Sequence, residues 1–236
     1  MSTRERQPAE RSQILTTQGG EHELYVNIGC GQTPTQGWRN FDNSLSLQVA
    51  RIPFLVQVLG AVGLINEEQR EFAALARTAN IEYADATRRI PVPSACVDVL
   101  YSSHMLEHLD PEGARRFLAE VRRVLKPKGM VRIAVPDIQI LVQQYATDGD
   151  ADAFVRATDL GSSQPHSLLE KIRFLVIGNR HHLWMYDGRS LCRLLCNCGF
   201  VEARIVPPGS SGLPDPGSLN LSERAQETVY VEAVNP

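Results

Sequence analysis

The sequence predicts an α/β protein with a mostly parallel sheet covered by helices on both faces. Apolar, β-prone runs alternate with amphipathic helical segments over most of the 236 residues. The first such run, Leu24 to Ile28, stops at Gly29 and Gly31. A glycine pair of this kind lets a parallel strand turn tightly against a ligand, although an ordinary turn would also use it. The segments that follow decide between these two interpretations.

Composition sets the broad class of protein. A hydrophobic fraction of 43% can build a sizeable core, and a net charge of −3 disfavours non-specific nucleic-acid binding. The five cysteines are an odd number and indicate a reducing, cytoplasmic setting rather than a disulfide framework. We find no secretory signal and no apolar run of the ~20 residues that a membrane-spanning helix needs. We predict a flexible tail over residues 1–20 and a single domain over 21–236.

The second predicted strand, Trp38 to Asp42, ends in an acid. In nucleotide-binding α/β folds an acid at this position accepts hydrogen bonds from ribose hydroxyls; the alternative is a helix-capping or turn aspartate. Ten residues separate Gly31 from Asp42, too few for a crossover helix of the usual size. The first βαβ unit is therefore expected to be abbreviated.

A helical insertion is predicted at about residues 44–80. Its first part is apolar and is interrupted near Pro53 and Gly60, and Glu67 to Arg77 has the pattern of a charged amphipathic helix. Simple core packing explains most such segments. A lid, an acceptor pocket, a homodimer face and an interfacial membrane helix remain open as alternatives.

The rest of the chain continues the alternation of strands and helices. We expect Lys126 to Gly129 to end a helix in a tight turn. The further predicted strands are Ile81–Ala86, Cys96–Ser103, Met130–Val135, Phe200–Val206 and Thr228–Val234, and the helices are Pro111–Leu125, Ile138–Tyr145 and Ser190–Cys198.

A trio of titratable residues follows the fourth predicted strand. His104, Glu107 and His108 are spaced i, i+3 and i+4, so a helix would place them on one face. Histidine is suited to proton abstraction near neutral pH. The alternative is that His108 caps or packs while Glu107 forms a surface pair. A divalent metal, completed by His181 or His182, is a less favoured alternative.

A second polar stretch, His181 to Asp187, combines two imidazoles, an indole and a phenol ahead of a predicted helix. This density predicts the wall of an acceptor site in which His182 and Tyr186 contact the acceptor. Alternatively, Trp184 and Met185 anchor the loop to the core. Three further donors are interpreted as buried reduced thiols in preference to zinc ligands: Cys192, Cys196 and Cys198.

Taken together, these motifs resemble class I S-adenosylmethionine-dependent methyltransferases, and most closely a bacterial, type 11-like branch. The resemblance spans Leu24 to Val234 and includes the insertion. It implies a Rossmann-like fold with a seven-stranded sheet whose last strand is antiparallel. The motifs that carry it are Asn27–Gly31, Gly37–Asp42, Ser102–Leu109, Glu120–Gly129, Val135–Asp137, His182–Asp187 and Tyr230–Ala233.

The resemblance also implies roles for the residues at the strand ends. Gly29 and Gly31 would let the backbone approach the methionine part of the cofactor, and Asp42 would accept hydrogen bonds from the ribose. Asp85 would contact the adenine amino group, and Ser102 and Ser103 would line the sulfonium side. Asn27 stands where relatives commonly carry an acid, and Lys128 where many carry a second glycine. The implied cofactor-binding set is Asn27, Gly29, Cys30, Gly31, Asp42, Asn43, Asp85, Ala86, Ser102 and Ser103.

The expected activity is methyl transfer from S-adenosylmethionine to a small-molecule acceptor, first of all a hydroxyl of a sugar or natural product. The candidate catalytic residues are His104, His108, His182 and Tyr186. Alternatives are N-methylation of a small molecule or peptide, an RNA or protein acceptor, and a non-catalytic cofactor-binding module. A protein of another cofactor class is a further alternative, but the short interval between Gly31 and Asp42 fits a dinucleotide-binding site poorly.

Overall fold

The computed structural model describes residues 23–44, 79–160 and 181–236, together with Leu47, Phe54 and Ala74. The predicted N-terminal tail, nearly all of the predicted insertion at 44–80 and the proposed dimer face on it lie outside the described residues.

Seven strands of the described chain form one sheet in the order β3-β2-β1-β4-β5-β7-β6. β7 is antiparallel to both of its neighbours, and the pairs among β1 to β5 are parallel. The predicted fold class, a mostly parallel seven-stranded sheet with an antiparallel last strand, is therefore confirmed. The strands are β1 (Tyr25–Ile28), β2 (Arg39–Asp42), β3 (Glu82–Tyr83), β4 (Val97–Ser103), β5 (Leu125–Pro136), β6 (Val201–Val206) and β7 (Thr228–Val234).

Four described α-helices accompany the sheet: α1 (Pro111–Val124), α2 (Ile138–Asp148), α3 (Ala151–Thr158) and α4 (Gly188–Asn197). α1 begins where Asp110 accepts a hydrogen bond from the Gly113 amide, with proline at the first helical position. α4 begins with a reciprocal capping box between Asp187 and Ser190. Among the described residues, no helix is long and apolar enough to cross a membrane.

The predicted end of the helix before Lys126 is confirmed, since α1 ends at Val124, but the predicted tight turn at Lys126–Gly129 is wrong, because β5 begins at Leu125 and includes these residues. Lys128, not Gly129, takes the left-handed backbone conformation, with a φ of 67°. A Cβ on Gly129 would lie 2.9 Å from the Lys126 carbonyl oxygen and 3.0 Å from that of Val97. Glycine is therefore required there for the close approach of neighbouring backbone.

The sheet contains a fully buried ion pair that links β5 to β7. Arg132 and Glu232 are opposite each other in the antiparallel register, and both are 0% exposed. The guanidinium donates to the carboxylate at 2.8 Å and lies over the Tyr230 ring. Ser211, the Gly212 amide and Arg204 also donate to the carboxylate. The loop before β7 is thereby fixed to the sheet.

Candidate active site

The strand order reverses at β1, which lies between β2 and β4. Open α/β sheets bind ligands outside the carboxyl ends of the strands at such a point. The turn after β1 occupies this position: Gly29 has a φ of 71° and Gly31 a φ of 48°. The amides of Gly29 and Cys30 both donate to the Phe41 carbonyl of β2, at 2.8 and 3.2 Å. The glycine turn is thus held against the neighbouring strand.

Asp42 joins the ends of β2 and β1. It is 9% exposed, and its two carboxylate oxygens accept from the Gly31 amide at 3.0 Å and from the Ser44 amide at 2.7 Å. Each oxygen retains acceptor capacity after one such bond. The neighbouring side chain of Asn43 is exposed. The carboxylate is therefore oriented beside the turn and can accept further hydrogen bonds.

Asn27 and Cys30 support the turn from inside the protein. The Asn27 amide donates to Thr35 Oγ1 at 3.1 Å, whereas its Oδ1 atom has no hydrogen-bond partner among the described residues. Burial, and then the charge of Asp42, raise the pKa of the Cys30 thiol to about 12. The thiol therefore stays protonated at neutral pH.

Gly29 is in contact with Met105, which follows β4. A Cβ built on Gly29 would lie 2.7 Å from both Cβ and Cγ of Met105. The residue is thus constrained by this protein contact as well as by its positive φ. This contact also connects the glycine turn to the segment that carries His104 to His108.

We expect Gly29→Ala to destabilise the protein by about 1–3 kcal/mol, because the new methyl group must displace Met105 at a backbone conformation that alanine disfavours. Urea denaturation measures this change. Gly31→Ala is the matched comparison, since a Cβ there meets no atom within 4 Å. Equal stability losses in the two variants would contradict the role assigned to Met105.

The other implied cofactor residues are in different local environments. Asp85 accepts from the Thr87 amide and hydroxyl and pairs with Arg88 at 3.3 Å. Ala86 is buried in the core beside it. Ser102 is 1% exposed, and its hydroxyl has no hydrogen-bond partner within the described part of the chain. Ser103 is the last residue of β4. The residues at the ends of β1, β2 and β4 meet at one edge of the sheet, and Asp85 follows the short edge strand β3.

The predicted helical face over His104–His108 is wrong. His104 takes a left-handed φ of 47°, and only Leu106 to His108 form a 3₁₀ turn. The ring of His104 contacts β7 and the loop before it, with Nε2 2.9 Å from Thr228 Oγ1 and Nδ1 3.0 Å from an Arg224 guanidinium nitrogen. A guanidinium can only donate, so Nδ1 accepts and Nε2–H donates to Thr228.

A different group of side chains lies close together in space: Glu107, His108 and His182. Their ligand atoms all lie within 4.8 Å of one another. The two imidazole rings are edge-to-face with centroids 5.2 Å apart. The Glu107 carbonyl accepts from the Leu183 and Trp184 amides at 2.8 and 3.1 Å, which connects the two chain segments. We name these three side chains the polar cluster.

Tyr186 is buried beside the polar cluster. Burial, with a further contribution from the charge of Glu107, raises its pKa to about 12. Its backbone pairs with the start of α2, where the Ile138 amide donates to the Tyr186 carbonyl at 3.0 Å. A shallow pocket beside it is lined by Pro111, Arg115, Trp184, Ser190, Arg193, Leu194 and Asn197. Trp184 is 48% exposed, so it is not a fully buried anchor of the loop.

The supporting contacts of the polar cluster could not be predicted from the sequence. The Nδ1 atom of His108 contacts the His181 carbonyl at 3.2 Å, and that of His182 contacts the Thr158 carbonyl at 2.8 Å. These acceptors are backbone atoms, which carry no sequence signature. The side chain of His181 points elsewhere, with Nδ1 2.8 Å from an Asp159 carboxylate oxygen.

The three cysteines around α4 are free thiols. Cys192 and Cys198 are partly buried, but Cys196 is exposed, so the prediction of buried thiols is wrong for Cys196. None of the three belongs to a potential metal-binding group among the described residues.

The strand order, the glycine turn at its reversal point and the acid at the end of β2 define a class of fold: the Rossmann-like α/β proteins that bind a ligand at the carboxyl ends of their strands. A family model described as "Methyltransferase domain" (Methyltransf_11) matches residues 61–133. This match supports the predicted resemblance to class I S-adenosylmethionine-dependent methyltransferases. A search of the curated proteins finds no match.

Solved structures similar to this chain include methyltransferases from three organisms. The chain is 14% identical to one from Methanosarcina mazei, with a TM-score of 0.49 over 96% of this chain and 98% of that one. One from Thermotoga maritima is 14% identical, with a TM-score of 0.49 over 91% and 83%. One from Aquifex aeolicus is 15% identical, with a TM-score of 0.43 over 92% and 85%.

Proposed function

We propose that the protein transfers the methyl group of S-adenosylmethionine to a hydroxyl of a small molecule, a sugar or natural product, in a bacterial biosynthetic reaction in the cytoplasm. The observation that carries this proposal is the polar cluster, which presents three lone-pair donors to one point. Two of its members, Glu107 and His108, follow β4 in a segment that is connected to the glycine turn through Met105. An acceptor held there would adjoin the cofactor.

The proposed cofactor site follows the ends of the strands. Asp42 would accept the ribose hydroxyls, assisted by Asn43, and Asp85 with the Ala86 backbone would contact the adenine. The Gly29–Gly31 turn would cover the methionine part. The buried Ser102 hydroxyl, which has no hydrogen-bond partner among the described residues, would face the sulfonium side together with Ser103.

Methyl transfer is an in-line displacement. The acceptor oxygen forms a bond to the methyl carbon while the carbon–sulfur bond breaks, and the bonding electron pair remains on sulfur as S-adenosylhomocysteine. The acceptor hydroxyl also loses a proton, and a positioned group that promotes this loss contributes about 10²–10⁴-fold to the rate. The polar cluster supplies such groups, whereas a module that only binds the cofactor would not need them.

His104 receives a positioning role in this proposal. Both of its ring nitrogens are in contact with Thr228 and Arg224, so neither presents a free lone pair to an acceptor. Tyr186, with its raised pKa, would act as a neutral hydrogen-bond donor to the acceptor and not as a base.

The test is methyl transfer from labelled S-adenosylmethionine to a panel of glycosides, nucleotide sugars and phenolic natural products, with primary amines in parallel. We expect His182→Ala to lower turnover by about 100-fold or more without loss of S-adenosylhomocysteine binding. His181→Ala is the matched control, because this neighbouring imidazole faces Asp159. Unchanged turnover in His182→Ala, or methylation of amines alone, would contradict the proposal.

A further inference from the structure

We propose that the polar cluster, formed by Glu107, His108 and His182, is a binding site for a divalent metal ion of the zinc type. The existence of this site is independent of the proposed function. Its role, activation of the acceptor hydroxyl, rests on that function. Three features of the cluster indicate a metal site: the donor set, its orientation and the burial of the carboxylate.

The donor set is that of a transition-metal site. Two imidazoles and one carboxylate suit Zn²⁺ and its first-row neighbours, whereas Mg²⁺ and Ca²⁺ prefer oxygen ligands. The ligand atoms lie within 4.8 Å of one another. Closing them around an ion with bonds of about 2.1 Å requires side-chain shifts of about 1 Å. Rotation about the χ angles of the two histidines supplies movements of this size.

The orientation of both imidazoles is fixed by backbone carbonyls. The Nδ1 atoms of His108 and His182 face the carbonyls of His181 and Thr158. A carbonyl oxygen can only accept, so each Nδ1 carries the proton and each Nε2 presents its lone pair. Metal-binding histidines in proteins are typically held in this way by their second nitrogen. The cluster is therefore pre-oriented for a ligand that accepts lone pairs.

The carboxylate of Glu107 is the strongest indication of a cation. Its side chain is 1% exposed, and neither carboxylate oxygen forms a hydrogen bond within the described residues. The Nδ1 atom of His104 lies 3.3 Å from Oε1 but accepts from Arg224, so it offers no proton to the carboxylate. An ionised carboxylate buried without a partner is costly, and a bound cation removes that cost.

Three protein ligands leave a fourth position of a tetrahedral ion for an exchangeable oxygen ligand, as in catalytic zinc sites. In the proposed reaction this ligand is the acceptor hydroxyl. An ion held by these three side chains would supply Lewis-acid chemistry: it would lower the pKa of the acceptor hydroxyl, whose proton would pass to solvent as the oxygen bonds to the methyl carbon and the carbon–sulfur bond breaks. The polar cluster would thereby activate the acceptor hydroxyl through the bound ion.

The experiment uses the full chain after treatment with a chelator. Zn²⁺ alone is titrated by calorimetry, and bound metal is counted by mass spectrometry after dialysis. Co²⁺ provides a second probe, because its visible absorption reports nitrogen and oxygen ligation. We expect one ion per chain, and an affinity about 100-fold or more weaker in His182→Ala and in Glu107→Gln. His181→Ala should bind as the wild type does, since its side chain faces Asp159.

Melting temperatures with and without Zn²⁺ separate ligand loss from misfolding. The wild type and His181→Ala should be stabilised by the ion, and a folded His182→Ala should not. Binding of less than one ion per chain, or equal binding in His182→Ala and His181→Ala, would overturn the metal site. Methylation that persists in the metal-free protein would overturn its catalytic role and leave the proposed function intact. Zinc binding without methylation of any hydroxyl would contradict the proposed function, but the metal site itself would remain supported.

Discussion

Replacing Glu232 by alanine should lower the free energy of unfolding by about 3–5 kcal/mol, because the variant leaves the Arg132 guanidinium buried without its carboxylate. Both side chains are 0% exposed, and the carboxylate also accepts from Ser211 and the Gly212 amide. Equilibrium urea denaturation measures the change. Arg204→Ala is the matched control: Arg204 pairs with the same carboxylate but is 48% exposed, so its loss should cost less than about 1 kcal/mol.

The stabilisation that the Glu232 carboxylate provides should decrease as the pH falls. Burial opposes ionisation of Glu232, but the hydrogen bonds from Ser211, Gly212 and Arg132 outweigh it and lower its pKa. A pKa that is lower in the folded state stabilises the protein above the unfolded value, near 4.3, and the stabilisation is lost as the pH falls through the folded value. The stability difference between wild type and Glu232→Ala should therefore shrink below about pH 4.

Replacing Asp42 by alanine should weaken cofactor binding by about 100-fold or more. Two hydrogen bonds from ribose hydroxyls to a carboxylate contribute about 3 kcal/mol together, which corresponds to roughly that factor. The variant also removes the acceptor of the Gly31 amide, so the glycine turn keeps only its bonds to the Phe41 carbonyl of β2. Titration with S-adenosylhomocysteine measures the affinity, and the melting temperature checks the fold.

Glu82→Ala is the control for this experiment. Glu82 is the acid of the adjacent strand β3, and it pairs with Arg39 at 2.8 Å on a partly exposed surface. Its loss should leave cofactor affinity within about 3-fold of the wild type, because a surface pair contributes little. Asp42→Ala with undiminished affinity would show that the cofactor does not contact the end of β2.

The fold could be predicted from the sequence because its signals are local. A glycine follows β1, β2 ends in an acid, β4 ends in a serine, and an aspartate follows β5. The extent of β5 could not be predicted in this way. Lys126 to Gly129 has the composition of a turn, but β5 runs through it as an irregular segment: Leu125 and Met130 pair with β4 on either side, and Lys128 and Gly129 form backbone hydrogen bonds with Asn235, just after β7. Tertiary pairing here overrides local turn propensity.

The candidate site was predicted less completely. The spacing of His104, Glu107 and His108 indicates one helical face, yet the left-handed backbone at His104 directs its ring to Thr228 and Arg224. His182 joins Glu107 and His108 in the polar cluster, through backbone hydrogen bonds between segments about 75 residues apart in sequence. Such contacts depend on the packed fold, and no spacing rule along the chain reports them.

Calorimetric titration of the wild-type chain with S-adenosylhomocysteine tests the central claim most directly. The product is preferable to S-adenosylmethionine here because no methyl transfer accompanies its binding. We expect one binding site per chain with micromolar or tighter affinity, a binding free energy of about −8 kcal/mol or more favourable, and a marked loss of affinity in Asp42→Ala. Absence of binding in a protein that melts cooperatively would contradict the assignment of the Gly29–Gly31 turn and Asp42 to a sulfonium-cofactor site.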